Sequence, residues 1–427
     1  MTHLLQQHLL QIAADGRRRG IYSVCSAHPW VLRAAAEQAK EDESLLLIEA
    51  TSNQVNQNGG YTGMRPADFR RFAEGIVAGA GFDCSRLILG GDHLGPNPWR
   101  ALDAKTAMAN AAEMVREYAS SGFSKIHLDA SMPCRGEATV LPDEIVAARA
   151  ATLCAVAEKA ASAAGLPGPI YVIGTEVPTP GGATHELHEL AATTTAAAQK
   201  TLEVHQREFA RAGLQAAWDR VLALVVQPGV EFNHDTVHDY EHEKTATLTQ
   251  WLDAHEPLVF EAHSSDYQRP KAYRQLVDNG FAILKVGPAV TFAMREAFFA
   301  LARIEDELLP EAERSQLPRV LEGVMLAAPA NWKGHYHGSA EEQRLLRTFS
   351  YSDRIRYYWT VPAVQSAVEK LIANLSAHTI PQTLLSAYLP VQYSAVRGGK
   401  VKNEPLELVL HASQSSLKAY AEACFRD

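Results

Sequence analysis

Short apolar runs alternate with longer stretches of helical period along the first three quarters of the chain. Eight such runs lie at 21–25, 45–48, 86–89, 125–128, 170–173, 221–226, 258–260 and 281–286. Strands that alternate with helices predict a parallel sheet, because parallel neighbours need crossover connections. Eight units favour an α/β fold of the (β/α)8 TIM-barrel type over residues 1–309, with a doubly wound open sheet as the rival. No GxGxxG motif follows the first run, which weakens that rival.

The strand pattern stops after residue 309. The remainder, 310–427, predicts helices and loops with prolines between them, and we expect a C-terminal helical extension packed on the barrel or on a neighbouring subunit. Within the first part, predicted helices cover 3–19, 30–41, 66–80, 101–121, 141–164 and 290–307, with further helices between 186 and 218. The chain of 427 residues suits a barrel of ~250 residues with an addition of this size.

Composition excludes several functional classes. A net charge of -9 without a long basic tract disfavours nucleic-acid binding. No run of ~18 apolar residues predicts a membrane span, and no secretory signal opens the chain. The five cysteines are scattered and lack CxxC spacing, which indicates reduced thiols. We therefore expect a cytoplasmic protein.

Ionisable side chains follow nearly every predicted strand. Active sites of TIM barrels lie at the carboxyl ends of the strands. The clearest case is Asp92-His93, where Gly90-Gly91 and Gly95-Pro96 predict a sharp turn on either side. A blander interpretation makes Asp92 a helix cap and His93 a surface residue. The other strand-end and loop candidates are His28, Glu49, Asn53, Gln54, His127, Asp129, Glu176, Gln227, His234, His263 and Lys285.

Several imidazoles and carboxylates without a nearby cysteine suit a divalent metal ion, and Zn²⁺ is the expected ion. The predicted ligands are His93, Glu176 and His263, with His127 or His234 as a further member. Asp92 beside a metal-binding His93 is placed for proton transfer.

Structural alternatives stay open for four of these residues. His127 alternates with Asp129 on one strand face and would also fit a core histidine bonded to that carboxylate. His234 lies in a polar loop that would also suit surface exposure, and His28 would also fit the start of a helix. Lys285 would serve as a Schiff-base amine, as a phosphate ligand, or as the partner of a carboxylate.

A phosphate site is predicted beside the last two strands. Ser264 and Lys285 offer a hydroxyl and an amine there, and Arg354 and Arg356 of the extension would add positive charge. A purely structural ion-pair cluster is the alternative. No GxxxxGK[ST] motif occurs, so a P-loop kinase is not supported.

Ten sequence blocks together resemble one known family. They lie at 23–29, 48–57, 60–64, 90–96, 124–132, 174–178, 226–232, 261–264, 284–288 and 352–359, and they include Gly90-Gly91-Asp92-His93-Leu94-Gly95-Pro96 and Lys125-Ile126-His127-Leu128-Asp129. This series is similar to the GatZ/KbaZ family, known as the Z subunit of D-tagatose-1,6-bisphosphate aldolase. The resemblance covers nearly the whole chain.

The resemblance implies a class II aldolase-like barrel in tagatose or galactitol catabolism. It implies that His93 and His263 bind metal and that Asp92 moves protons. In the reaction that we expect, either Asp92 or Glu176 would move the proton of the C4 hydroxyl. The implied activity is metal-dependent aldol or retro-aldol chemistry on a ketohexose phosphate, or C4 epimerisation between tagatose 6-phosphate and fructose 6-phosphate. The alternative is a non-catalytic accessory subunit that stabilises a separate class II aldolase chain. We expect a sugar-phosphate ligand, that aldolase chain as a partner, and a homo-oligomer.

Overall fold

A closed barrel of eight parallel strands forms the centre of the molecule in a computed structural model that describes residues 3–14, 19–175 and 190–425. The strands are β1 (Ile21–Val24), β2 (Leu46–Thr51), β3 (Leu87–Leu94), β4 (Lys125–Leu128), β5 (Ile170–Ile173), β6 (Val221–Val225), the two hairpin strands β7 (Glu231–Phe232) and β8 (Val237–His238), β9 (Val259–Ala262) and β10 (Ile283–Val286). Strand β1 pairs with both β2 and β10, which closes the barrel, and β7 and β8 pair only with each other. The predicted (β/α)8 barrel is confirmed.

Helices follow the strands as the alternating pattern predicts. They are α1 (Leu4–Ala14), α2 (Pro29–Glu41), α3 (Pro66–Gly79), α4 (Ala104–Ser120), α5 (Asp143–Ala163), α6 (Thr195–Arg211), α7 (Gln215–Trp218), α8 (Ala246–Asp253), α9 (Pro270–Asp278) and α10 (Pro288–Leu308). Local chemistry sets their starts: Asp103, for example, accepts a hydrogen bond from the Thr106 amide at the beginning of α4. Two parts of the predicted helices, residues 15–18 and 186–189, lie outside the described residues.

The C-terminal extension is helical and packs on the barrel. It contains α11 (Leu317–Ala327), α12 (Ala340–Phe349), α13 (Pro362–Ser376), α14 (Gln382–Tyr388), α15 (Pro390–Arg397) and α16 (Pro405–Cys424). Helix α16 returns to α2, α9 and α10, and one apolar core joins the extension to the barrel. The division at residue 309 stays a prediction. No helix of the described chain is long and apolar enough to cross a membrane.

The two ends of the barrel interior differ in polarity. Helix α1 places Leu5, Leu9 and Ile12 against apolar residues near the starts of the strands, among them Leu47 and Ile170, and so closes the amino-terminal end. Toward the carboxyl ends, polar and charged side chains replace the apolar ones. The fold therefore directs its ionisable groups to one end of the barrel.

Strand β3 differs from its prediction in a way that matters for the site. Gly90 and Gly91 do not turn the chain, because β3 continues through Leu94. A Cβ on Gly90 would lie 2.8 Å from the side chain of Glu49, and one on Gly91 would lie 2.5 Å from Leu94. The glycines thus allow close packing within the strand. The pairing register with β4 shifts between Gly91 and Leu94, and this irregularity contains Asp92 and His93.

Candidate active site

A cavity of about 330 Å³ opens at the carboxyl ends of the strands, between the barrel and the extension. The barrel supplies most of its wall, and the segment 356–369 of the extension supplies the remainder. The predicted site residues that line the cavity are His28, Asn53, Gln54, Asp92, His93, His263, Ser264, Lys285 and Arg356. The residues predicted at five strand ends and in the extension therefore line one cavity.

Three buried histidines each bond to a carboxylate through one ring nitrogen. His93 Nδ1 lies 2.8 Å from Asp129 Oδ2, His127 Nδ1 lies 3.0 Å from Asp92 Oδ1, and His263 Nε2 lies 2.9 Å from Glu261 Oε1. A carboxylate on one nitrogen fixes the tautomer and orientation of the ring, and it leaves the other nitrogen for a metal. His127 is thus bonded to Asp92, while Asp129 serves His93.

The three rings lie side by side. Their centroids are 5.2 Å apart for His93 and His127, 4.8 Å for His93 and His263, and 5.1 Å for His127 and His263. One donor atom from each of Asp92, His127, Glu261 and His263 lies within 4.8 Å of the others. His127 Nε2 is fully buried and has no hydrogen-bond partner among the described residues. A buried polar atom of this kind favours a bound ligand such as a cation.

A charged layer supports this cluster from inside the barrel. Lys125 Nζ lies 2.7 Å from Glu49 Oε1 and 2.8 Å from Glu261 Oε2. Lys285 Nζ lies 2.6 Å from Glu49 Oε2, 2.9 Å from Asp92 Oδ1 and 3.4 Å from Glu261 Oε1. Three carboxylates thus share two ammonium groups, and Asp129, which bonds His93, adds a fourth carboxylate to the cluster. Carboxylate oxygens beside imidazole nitrogens suit a divalent cation such as Zn²⁺.

Burial and neighbouring charges shift the protonation of these groups. Burial alone would raise the pKa of Asp92, but His93 and Lys285 outweigh it and hold that pKa well below its usual range. Burial would lower the pKa of Lys285, yet Asp92 and the other anionic neighbours raise it well above its usual value. Burial lowers the pKa of His263 to about 4, so this ring is neutral at pH 7 and able to bind a metal.

Two residues at strand ends have a strained backbone, His93 in β3 and Ser264 after β9. His93 has φ +50° and Ser264 has φ +53°, in the left-handed region that residues with a Cβ seldom adopt. Such strain concentrates at functional sites, where the surrounding packing maintains it. Here it directs His93 and Ser264 toward the cavity.

The two predicted arginines flank one aromatic ring. The guanidinium carbons of Arg354 and Arg356 lie 5.2 and 4.7 Å from the centroid of Tyr357. Among the described residues neither arginine has a carboxylate oxygen within 4 Å. Burial, and then the charge of Arg356, lowers the pKa of Arg354. Arg356 lines the cavity, whereas Arg354 lies behind it and bonds the Asn331 carbonyl.

Other predicted residues have structural bonds in this arrangement. His28 begins α2, where its Nδ1 accepts from the Trp30 amide, as the alternative interpretation has it. Gln54 donates to the Cys25 carbonyl and accepts from the Thr51 amide, although it also lines the cavity.

Three further predicted residues lie outside the cavity wall or outside the description. Gln227 accepts from the Gly229 and Val230 amides and so shapes its own loop. His234, partly buried, bonds Ser350 of the extension through Nδ1. Glu176 lies outside the described residues.

Sequence reasoning missed Glu261, Lys125 and Cys25. Glu261 holds His263 and Lys125, and Cys25 Sγ lies 3.6 Å from Asp92 Oδ2. Alternation within strands carries the signal that would have found the first two. Lys125 shares a strand face with His127, and Glu261 shares one with His263.

Comparisons with known proteins identify the family to which the chain belongs. The sequence profile described as D-tagatose-1,6-bisphosphate aldolase subunit GatZ/KbaZ-like matches residues 5–425. A crystal structure of a probable tagatose 6 phosphate kinase from Sinorhizobium meliloti 1021 is 49% identical, with a TM-score of 0.88 over 95% of this chain and 100% of that one. A fructose-bisphosphate aldolase from Campylobacter jejuni is 15% identical, with a TM-score of 0.43 over 87% and 91%, a likeness too low to carry an argument. The chain belongs to the GatZ/KbaZ-like family of D-tagatose-1,6-bisphosphate aldolase subunits.

Proposed function

We propose that this protein carries out metal-dependent aldol or retro-aldol chemistry on a ketohexose phosphate. The observation that carries the proposal is the buried group of three carboxylate-bonded histidines beside the cavity. A barrel with only a scaffolding role has no need of such a group, because apolar residues of similar volume at these positions would stabilise it as well or better. The family supports the same class of chemistry.

The residues fit a divalent metal such as Zn²⁺. The group of Asp92, His127, Glu261 and His263 would hold the ion, with the unpartnered Nε2 of His127 as one donor. His93 is not part of that group, and it stays a predicted ligand beside the His263 ring. Glu176 stays a predicted ligand. When bound, a divalent ion supplies positive charge for the negative charge that develops on the substrate oxygens.

Asp92 is the proposed proton carrier. Its Oδ1 is held by His127, Lys285 and its neighbour's amide, while Oδ2 faces the thiol of Cys25 at the cavity. The carboxylate is ionised and can accept the proton of a substrate hydroxyl. Glu176 stays the second predicted proton carrier.

The environment of Lys285 disfavours a Schiff-base role. Its ammonium contacts three carboxylates, and its pKa is raised well above the usual value. An amine must lose its proton before it can attack a carbonyl carbon. Lys285 would instead supply a fixed positive charge beside Asp92.

The phosphate is proposed to bind Arg356, which lines the cavity, while Arg354 behind it adds positive charge. Both guanidinium groups lie near the Tyr357 ring, and among the described residues no carboxylate oxygen lies within 4 Å of either. Guanidinium groups favour phosphate oxygens. The relative from Sinorhizobium meliloti is described as a probable tagatose 6 phosphate kinase, which supports a ketohexose phosphate as the ligand class.

Two reactions follow from the same proton transfer. Removal of the C4 hydroxyl proton breaks the C3–C4 bond, and its electron pair stays with C3. Release of the aldehyde, followed by return of a proton to C3, makes the protein an aldolase. If the aldehyde turns its other face and the bond forms again, the result is C4 epimerisation between tagatose 6-phosphate and fructose 6-phosphate.

An accessory role is the second candidate. The matched family consists of aldolase subunits, and three large apolar side chains are exposed on the neighbouring helices α11 and α12. Leu326, Leu345 and Phe349 have exposed fractions of 53%, 47% and 57%. Leu345 and Phe349 are four residues apart on α12 and therefore share a face. A class II aldolase chain is the partner proposed for this surface.

One assay on the purified chain distinguishes these candidates. Tagatose 6-phosphate, fructose 6-phosphate and tagatose 1,6-bisphosphate are each supplied with divalent metal and, separately, with a chelator. Chelator-sensitive exchange of the monophosphates identifies an epimerase, and triose phosphate from the bisphosphate identifies an aldolase. Activity only after a class II aldolase chain is added contradicts an independent enzyme and leaves the accessory role.

A further inference from the structure

Asp266 occupies the start of helix α10 with its carboxylate. Its Oδ1 accepts hydrogen bonds from the Gly287 amide at 3.0 Å and from the Ala289 amide at 2.8 Å. Pro288, between them, has no N–H. Asp266 is 3% exposed, and it lines the cavity together with Gly287. A side chain of the protein itself thus uses the amides that face the cavity at this helix end.

This position is where a TIM barrel most often binds a phosphate. Loops after the last two strands and the amino-terminal end of the following helix supply amides that point at the anion. Asp266 follows β9, and Gly287 and Ala289 follow β10. The carboxylate therefore fills the place that a phosphate group would take, and its negative charge repels a second anion.

We propose that Asp266 is a specificity-determining residue that keeps phosphate away from the start of α10 and limits the substrate to one phosphate group. This proposal rests on the proposed function. The substrate end that reaches Asp266 is then an uncharged hydroxymethyl group, whose hydroxyl can donate to the free Oδ2.

The distribution of positive charge supports one phosphate rather than two. Two of the described residues that line the cavity are Lys or Arg. Lys285 is committed to three carboxylates, and Arg356 belongs to the pair on Tyr357. The charge of Arg356 also acts on Asp266. Once Arg356 holds the first phosphate, a second phosphate would meet the Asp266 carboxylate with no further Lys or Arg of the described wall left to offset it.

The test compares the affinities of full-length variants for fructose 6-phosphate and fructose 1,6-bisphosphate by calorimetry. Asp266→Ser removes the carboxylate and frees both amides, whereas Asp266→Asn removes the charge and keeps an acceptor for them. Asp219→Asn, at an exposed acid that does not line the cavity, is the control.

Wild type should bind the bisphosphate at least tenfold more weakly than the monophosphate. Asp266→Ser should improve bisphosphate binding relative to monophosphate binding at least tenfold, Asp266→Asn about threefold, and Asp219→Asn not at all. Inorganic phosphate should bind Asp266→Ser at least tenfold more tightly than wild type. If Asp266→Ser does not fold, the threefold change in Asp266→Asn decides.

Two results overturn the proposal: equal binding of the two sugars by wild type, or an unchanged ratio in the folded Asp266 variants. An active wild-type enzyme with an unchanged ratio overturns the role of Asp266 alone. A changed ratio and a gain in phosphate binding, without turnover of any ketohexose phosphate, overturn the proposed function and leave the role of Asp266 in place.

Discussion

Apolar side chains fill one end of the barrel interior, and charged side chains fill the other. At the amino-terminal end, Leu5, Leu9 and Ile12 of α1 pack against apolar strand residues. In the layer above them, Lys125 and Lys285 lie fully or almost fully buried among carboxylates. The boundary falls within single strands, since β2 contributes Leu47 to the apolar cluster and Glu49 to the charged layer, and β10 likewise contributes Ile283 and Lys285.

The difference separates stability from chemistry along the barrel axis. Each fully buried apolar side chain contributes about 1.5–3 kcal/mol, whereas a buried ion pair at best offsets its own desolvation. The charged end therefore depends on the apolar end for its stability. Substitutions should distinguish the two ends by which property they change.

The largest effect should come from Asp92→Asn, which alters the charged end with little change of shape. Loss of the proposed proton carrier should lower the rate of ketohexose phosphate conversion about 10²–10⁴-fold. The free energy of unfolding should change far less. Steady-state kinetics and urea denaturation measure the two quantities, with the exposed Asp219→Asn as control. Retention of a tenth of the activity would rule out this role for Asp92.

Lys125→Met should cost about 3–5 kcal/mol of stability, because it leaves Glu49 and Glu261 as buried charges with a single shared counter-ion, Lys285. Urea denaturation would show the loss, and Lys370→Met, at an exposed position, should show almost none. A loss below about 1 kcal/mol would mean that the charged layer does not depend on Lys125.

Leu9→Ala should destabilise the apolar, amino-terminal end of the barrel. The side chain is 1% exposed in the apolar cluster, so its truncation should reduce stability by about 2–5 kcal/mol. The turnover number of the folded enzyme should stay within about twofold, because α1 does not line the cavity. Leu10→Ala, on the exposed face of the same helix, is the control. A matching fall in turnover would contradict the separation of the two ends.

His205 provides a titrating group outside both ends. It is fully buried in α6, and burial lowers its pKa to about 4 from an ordinary value of 6.5. The unfolded chain therefore binds the proton first, and stability falls as the pH drops from 6.5 toward 4. At pH 5 this loss amounts to about 2 kcal/mol.

His205→Gln removes that titration. The difference in unfolding free energy between wild type and His205→Gln, measured in urea, should shift by about 2 kcal/mol in favour of the variant between pH 7 and pH 5. A constant difference would show that His205 is not held neutral by burial.

Much of the fold could be predicted, because each barrel strand is an apolar run and each crossover has a helical period. The site could be predicted where a polar residue follows such a run, as with Asp92, His93 and His263. Lys125 and Glu261 were missed, since each looks like an interruption of its strand, although alternation places each on the strand face of a predicted histidine. Their pairing is set by closure of the barrel, which brings β4 and β9 within reach across the interior.

The strand through Gly90 and Gly91 was mispredicted for a related reason. Glycine before a polar pair indicates a turn unless a neighbour needs the missing side-chain volume, and Glu49 and Tyr118 are the neighbours here. Tertiary contacts of this kind leave no local pattern. The role of the extension in the cavity wall is likewise a product of packing.

Helix α16 has a consequence for the folding of the protein during its synthesis on the ribosome. Its Tyr420 hydroxyl donates to the Ser265 carbonyl in the loop that carries His263, and Gly20 beside β1 donates to Cys424. About 100 residues separate the end of α10 from the start of α16. At about 5–20 residues per second, about 5–20 s would pass between the synthesis of α10 and that of α16. During that time the nascent barrel would lack the contacts that α16 makes with this loop and with α2, α9 and α10. A chain stalled before residue 405 should therefore bind a chaperone that a released chain does not.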